Sequence, residues 1–131
     1  MIVRVLLDTC ALLWLVGDPI RLSTSAHAVL ADPGTELCVS AISAFEIAVK
    51  HKKGKLALPL PARNWLREAF QIYAIRELPV TSEIAALAPD VAASHADPCD
   101  RIIIATAQVY NIPIVTSDHM IAECVDINIL W

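Results

Sequence analysis

Two carboxylates three residues apart, Asp97 and Asp100, stand at the head of the apolar run Ile102-Ile103-Ile104-Ala105-Thr106-Ala107. A run this rich in Ile and Ala is too apolar for a surface segment, so residues 98–110 read as a buried helix that Asn111 ends. Pro98 suits the first helical position, where its missing N–H costs nothing. Asp97 then falls at the N-cap and Asp100 in the first turn, both favoured beside the positive helix end. Asp100 is in phase with Ile103, Ile104 and Ala107, so it projects from the core-facing stripe. Two readings follow: a well-capped buried helix, or one whose Asp100 belongs to a metal site.

The remaining chain alternates strands with helices. Residues 2–7 read as a buried strand that ends on Asp8-Thr9. A helix over 10–16 is stopped by Gly17-Asp18-Pro19, and a second over 23–30 by Asp32-Pro33-Gly34. A strand over 37–39 leads to a helix capped by Ser40 or Ser43 and ended by Gly54. After a proline-limited loop over 56–61, a helix over 62–73 carries Trp65, Leu66, Ala69, Phe70 and Tyr73 on one side. A strand over 77–80 and a helix capped by Thr81 precede the 98–110 helix. Strands over 112–116 and 126–130 flank a short helix over 120–123. This order predicts an α/β fold, a three-layer sandwich with a mostly parallel sheet of four to five strands and helices on both faces. No linker divides residues 1–131, so a single domain is expected.

The totals limit what such a domain does. No apolar run approaches the ~20 residues needed to cross a bilayer, and no signal peptide is evident. Hydrophobic residues make up 56% of the chain, an excess that predicts buried surface in a dimer or against a partner. The net charge of −4 excludes a general nucleic-acid coat and leaves room only for local contacts. Cys10, Cys38, Cys99 and Cys124 are scattered without a C-x-x-C pair. They are expected to be small core residues in a reducing cytoplasm rather than zinc ligands or disulfides.

Four acids hold positions where chemistry can gather. Asp8 follows the first strand, Asp118 follows a late strand, Asp100 opens the buried helix, and Glu46 lies between Ile42 and Val49 on a helix face. In a parallel sheet the strand carboxyl ends and the next helix N-termini share one rim. Carboxylates crowded in a partly buried pocket need a counter-charge. Mg²⁺ or Mn²⁺ suits an all-oxygen set, and such a site supports phosphodiester hydrolysis. Each acid also has a plain structural reading. Asp8 can cap the first helix, Glu46 can complete a capping box with Ser43, Asp118 can be a turn residue, and Asp97 can be only a cap.

The order strand-Asp, helix-Glu, helix-Asp, strand-Asp resembles that of PIN-domain ribonucleases, and within them the VapC toxins of toxin–antitoxin pairs. The resemblance is carried by Leu6-Leu7-Asp8-Thr9, Ser43-Ala44-Phe45-Glu46-Ile47, Gly54-Lys55-Leu56, Asp97-Pro98-Cys99-Asp100-Arg101 and Ile114-Val115-Thr116-Ser117-Asp118. It implies that Asp8, Glu46, Asp100 and Asp118 form an acidic quartet that binds metal and acts in catalysis. It makes Thr9 and Thr116 supporting hydroxyls and Asp97 an accessory acid. Cys10 departs from the His that many relatives carry. The resemblance further implies a Mg²⁺- or Mn²⁺-dependent endoribonuclease that cuts RNA, forms a homodimer and is inhibited by a cognate antitoxin.

The basic run Lys50-His51-Lys52-Lys53-Gly54-Lys55 reads either as a solvated helix end or as a phosphate contact, with Lys50, Lys52 and Lys53 as RNA-contact candidates. Arg101 can serve the same purpose or pair with a neighbouring acid. Trp14, Trp65 and Trp131 are expected in the core or at an interface. His95 and His119 fall near the rim without forming a ligand motif. Rival readings are a housekeeping PIN-like nuclease, an aspartyl phosphatase built on Asp8, and a non-catalytic phosphate-receiver or scaffold domain. The phosphatase would want a second Asp where Cys10 stands, and the receiver a Lys after a late strand, where His119 and Met120 stand.

Overall fold

A computed structural model describes residues 3–92, 97–124 and 126–131. Its sheet has five strands: β1 (Val3–Leu7), β2 (Thr35–Ser40), β3 (Arg76–Leu78), β4 (Ile114–Val115) and β5 (Ile129–Leu130). They lie in the order β3-β2-β1-β4-β5, and every neighbouring pair is parallel. Seven helices connect them among the described residues: α1 (Thr9–Gly17), α2 (Thr24–Ala31), α3 (Ala41–Lys52), α4 (Ala62–Ile72), α5 (Ser82–Leu87), α6 (Pro98–Tyr110) and α7 (His119–Ala122). None is long and apolar enough to cross a membrane.

The pleat of β1 explains the three layers. Successive strand side chains point to opposite faces. Leu6 packs with Leu78, Ile84, Ile103 and Ile104 on one side of the sheet. Val5 and Leu7 pack with Leu12, Ile47 and Trp65 on the other. All three β1 side chains are fully buried, as expected for a central strand covered on both faces.

Helix α6 forms as its sequence predicts. The Asp97 carboxylate accepts the Asp100 N–H at 2.8 Å, and Pro98 opens the helix. Asn111 closes it at φ 53°, and the Ile112 N–H returns to the Ala107 carbonyl at 3.1 Å. That left-handed closure satisfies carbonyls the helix end leaves open. It also shortens the following strand. Ile112 has spent its N–H on the helix and Pro113 has none, so the strand expected over 112–116 reduces to Ile114–Val115. The final strand is likewise confined to Ile129–Leu130, and β3 ends at Leu78 rather than 80. The first strand is described from Val3 onward.

Two further expectations are corrected. Ser40, not Ser43, caps α3, its hydroxyl accepting the Ile42 N–H at 3.1 Å. Ser43 is fully buried inside the helix, so no capping box joins it to Glu46. The cysteines divide: Cys38 and Cys124 are buried core residues, Cys99 is half-buried, and Cys10 is exposed. Trp65 is buried against the sheet. Trp14 and Trp131 pack on each other with ring centres 5.7 Å apart.

Candidate active site

The strand order creates the site. From β1 the chain moves outward through β2 to β3, then crosses back to lay β4 on the other side of β1. The reversal falls between β1 and β4, whose carboxyl ends are the usual ligand position in open parallel sheets. Asp8 leaves β1 there. Thr116, Ser117 and Asp118 leave β4 beside it, since the Asp8 N–H donates to the Val115 carbonyl at 3.2 Å.

Asp8 is 5% exposed. One carboxylate oxygen accepts the Ala11 N–H at 2.8 Å, capping α1. The other accepts the Thr116 hydroxyl, which in turn accepts the Asp118 N–H at 2.9 Å. Asp118 caps α7 through the Met120 N–H at 2.8 Å. The capping and turn readings of these two acids are therefore real, and they fix the acids on the rim. Cap and site role coexist because an N-cap carboxylate spends one oxygen on the helix and keeps another for something else.

Glu46 enters from α3 and is held on both oxygens. Thr9 Oγ1 lies 2.7 Å from Oε1, and Lys50 Nζ lies 2.7 Å from Oε2. Thr9 also lies 2.9 Å from Ser43 Oγ. A hydroxyl has a single proton and an ionised carboxylate only accepts. Thr9 therefore donates to Glu46, and Ser43 donates to Thr9. Ser43 thus supports Glu46 through Thr9 instead of capping α3. The available signal was its i−3 spacing to Glu46, which sets both on one helix face.

Asp100 completes the group from the first turn of α6. Burial drives its pKa up to about 7, and the charges of Asp97, Asp118, Glu46 and Asp8 add to the rise. Burial likewise lifts Asp8 to about 6 against the opposing hydrogen bonds from Thr116 and Ala11, with Asp118 and Glu46 adding to it. Acids from the end of β1, α3, α6 and the end of β4 thus share one electrostatic field, which Lys50 offsets only on the Glu46 side among the described residues. Although Cys10 is largely exposed, the partial covering it has and the neighbouring Asp8 charge push its thiol pKa up.

The basic candidates separate. Lys50 is engaged with Glu46, whereas Lys52 and Lys53 are exposed. Arg101 directs Nη1 to the Val91 carbonyl at 3.3 Å. His95 lies outside the described residues.

Among the described residues no three Asp, Glu, His or Cys side chains form a ready-made coordination group. Zinc would demand such a cage. Mg²⁺ does not, because it keeps several waters and binds through one or two carboxylates together with substrate phosphate. The all-oxygen donors and the excess of negative charge around Asp8 and Asp100 fit that cation class.

Comparison with known proteins identifies the family. The PIN-domain family profile matches residues 5–125. Ribonuclease VapC22 of Mycobacterium tuberculosis is 34% identical over 116 residues, which cover 88% of this chain and 87% of the relative. Among solved structures, DNA-bound VapBC from Salmonella typhimurium superimposes with a TM-score of 0.69 at 18% identity, covering 98% of this chain and 97% of that one. VapBC2 from Rickettsia felis, bound to a promoter DNA fragment, gives 0.67 at 11% identity with 96% of each chain covered. The two structural likenesses bear on the fold, and the sequence matches carry the assignment: the chain belongs to the PIN-domain family.

Proposed function

We propose that this protein is a divalent-metal-dependent endoribonuclease, the toxin of a toxin–antitoxin pair, with Mg²⁺ or Mn²⁺ as its cofactor. The observation that carries the reading is the convergence of acids from distant elements on one rim: Thr116 links Asp8 to Asp118, Thr9 links the end of β1 to Glu46, and Asp100 joins their field from α6. The relative named as a ribonuclease supports the nuclease reading. A structural neighbour from Klebsiella pneumoniae, described as a toxin–antitoxin complex, supports an antitoxin partner. Membership of the PIN family also removes the aspartyl-phosphatase and receiver readings.

Asp8 and Asp100 are the principal candidates to hold the metal, with Glu46 and Asp118 completing the pocket or acting through water. When bound, a divalent cation supplies polarised water and offsets negative charge that gathers at the phosphodiester. The chain's own residues supply position. Thr116 orients Asp8 and Thr9 orients Glu46, while Asp97 fixes the first turn of α6 and acts at most from behind Asp100. Lys52 and Lys53 suit RNA phosphates. Lys50 and Arg101, engaged as described, are weaker candidates for that contact. A cytoplasmic homodimer, silenced when an antitoxin covers the rim, completes the reading.

The test is hydrolysis of total RNA with Mg²⁺ or Mn²⁺ by wild type, Asp8→Asn and Asp100→Asn. Cleavage by wild type alone supports the proposal. Equal cleavage by all three would mark a contaminant and remove the nuclease reading.

A further inference from the structure

Phe45 is 62% exposed although it immediately precedes Glu46. It does not project into the core that buries Ile47 from the same helix. Phe45, Val49 and Lys53 recur every four residues along α3 and its C-cap, which sets them in one row. Pro98 and Cys99, from the start of α6, face that row across a groove of about 440 Å³. Glu46 and Asp97 lie at its acidic border, and Lys53 and Lys55 line it as well.

We propose that this groove is a nucleobase-stacking subsite, in which Phe45 carries one base of a single-stranded RNA segment while Lys53 and Lys55 hold its phosphates. The inference rests on the ribonuclease reading and names what that reading leaves open, how the strand is seated beside the acids. Single-stranded nucleic acid is held by exposed aromatic rings that stack bases, combined with cations that follow the backbone. Both parts are present here. From Phe45 to Lys53 the helix rises about 12 Å, which places the cations away from the ring, along the path of a backbone leading from a stacked base. Lys50 is drawn to Glu46, so of the lysines that line this groove Lys53 and Lys55 are the ones left for phosphate. A phenyl ring offers no hydrogen bond, so the subsite binds the face of a base and tolerates any of the four.

Charge decides between RNA and a second copy of the chain as occupant. A two-fold interface is self-complementary and brings the same patch of both copies together. A two-fold axis at the lysine end of this groove would set Lys53 and Lys55 of one copy against those of the other. An anionic strand meets the same lysines favourably. The other strongly exposed aliphatic residues, Ile20 and Ile72, lie on different elements and do not enlarge the Phe45 patch.

The experiment uses the full chain carrying Asp100→Asn, with Mg²⁺, so that RNA is not consumed. Binding of fluorescent oligo(A) RNA is compared with binding of a base-free ribose-phosphate strand. Adding Phe45→Ala is expected to weaken oligo(A) binding by about 5- to 100-fold, and Phe45→Trp to preserve it. On the base-free strand Phe45→Ala is expected to change nothing. Thermal melts verify that the exposed substitution leaves folding intact. Equal loss on both strands, or unchanged oligo(A) binding, overturns the subsite alone. A shift from dimer to monomer with Phe45→Ala in sedimentation assigns the ring to a copy–copy contact and also overturns it. No RNA binding by the Asp100→Asn parent, together with no RNA cleavage by wild type, removes the ribonuclease reading and the subsite with it.

Discussion

Thr9 donates its hydroxyl proton to Oε1 of Glu46 across 2.7 Å, tying the first turn of α1 to the second turn of α3. Ser43, fully buried, must then donate to Thr9. The pair forms a short directed chain, Ser43 to Thr9 to Glu46, that aims one carboxylate oxygen while Lys50 holds the other. Thr9→Val removes the link and leaves the Ser43 hydroxyl without its acceptor. The expected stability loss is about 1–3 kcal/mol, read as a lower midpoint in thermal or urea unfolding. RNA cleavage is expected to fall roughly tenfold, the scale of a lost positioning contact to one acid. Thr9→Ser keeps the hydroxyl and should restore cleavage.

The raised acids make stability depend on pH with a definite sign. Asp8 at about 6 and Asp100 at about 7 both stand above their ordinary value of 3.8. Between pH 3.8 and 7 the native state therefore binds more protons than the unfolded chain. Their contribution favours the native state fully below pH 3.8 and is lost as pH rises through 6 and 7. For buried Asp8 this amounts to about 3 kcal/mol; Asp100 is half-buried and screened, so its share is smaller. Metal-free protein should thus show a falling melting temperature from pH 4 toward pH 8. Saturating Mg²⁺ or Mn²⁺ should raise it far more at pH 8 than at pH 5. Asp100→Asn should flatten both trends, whereas a melting temperature that Mg²⁺ leaves unchanged at pH 8 would contradict the metal site. Glu36, held down by Arg4 and Arg76, acts in the opposite sense but is common to all the proteins compared.

The placement of the acids at strand ends and helix starts was more legible in the sequence than the edges of the sheet. Asp97-Pro98 at the head of α6 and Asn111 at its end carry chemistry that acts within a few residues, so that helix was legible from Pro98 to Tyr110. The two terminal strands were not, because their length depends on partners. Ile112 reads as strand by its side chain, yet its N–H is claimed by Ala107. The positions of the acids followed from strand ends and helix starts, which periodicity reveals. Their hydrogen bonds did not. That Ser43 turns inward to Thr9, while Ser40 caps, depends on α1 lying across α3, a contact between segments 34 residues apart. The exposure of Phe45 was equally hidden, since an apolar residue on a semi-apolar helix gives no sign of facing outward.

Lys50 neutralises one side of the acidic group, and its removal should separate two effects. Its ion pair with Glu46 is 43% exposed on the lysine side, so Lys50→Met is expected to change stability by less than about 1 kcal/mol. The site becomes more negative. The concentration of Mn²⁺ giving half-maximal activity should fall, because a stronger negative field draws the cation. The KM for RNA should rise, because the same field repels phosphate. Steady-state cleavage over a matrix of Mn²⁺ and RNA concentrations reads both. A rise in the Mn²⁺ requirement would instead show that Lys50 acts by holding Glu46 in a ligating position.

Thr116 is 1% exposed and joins the two strand ends between which the reversal falls. It gives its proton to Asp8 and accepts the N–H of Asp118. Thr116→Val keeps the β-branched shape just beyond β4, so the loss is that of the hydroxyl and its two hydrogen bonds. It leaves the Asp118 N–H without its acceptor and deprives Asp8 of the donor that restrains its pKa. The expected destabilisation is about 1–3 kcal/mol. The distinguishing readout is the direction of the pH profile. Without metal, the pH at which the Asp8 contribution is lost should move above about 6, because the carboxylate has lost a partner for its ionised form. Cleavage should fall most at low pH, where more of Asp8 is then protonated. Thr116→Ser retains the hydroxyl and should keep the wild-type profile. A Thr116→Val enzyme that loses activity equally at all pH values would show that Thr116 serves only to hold β4 in place.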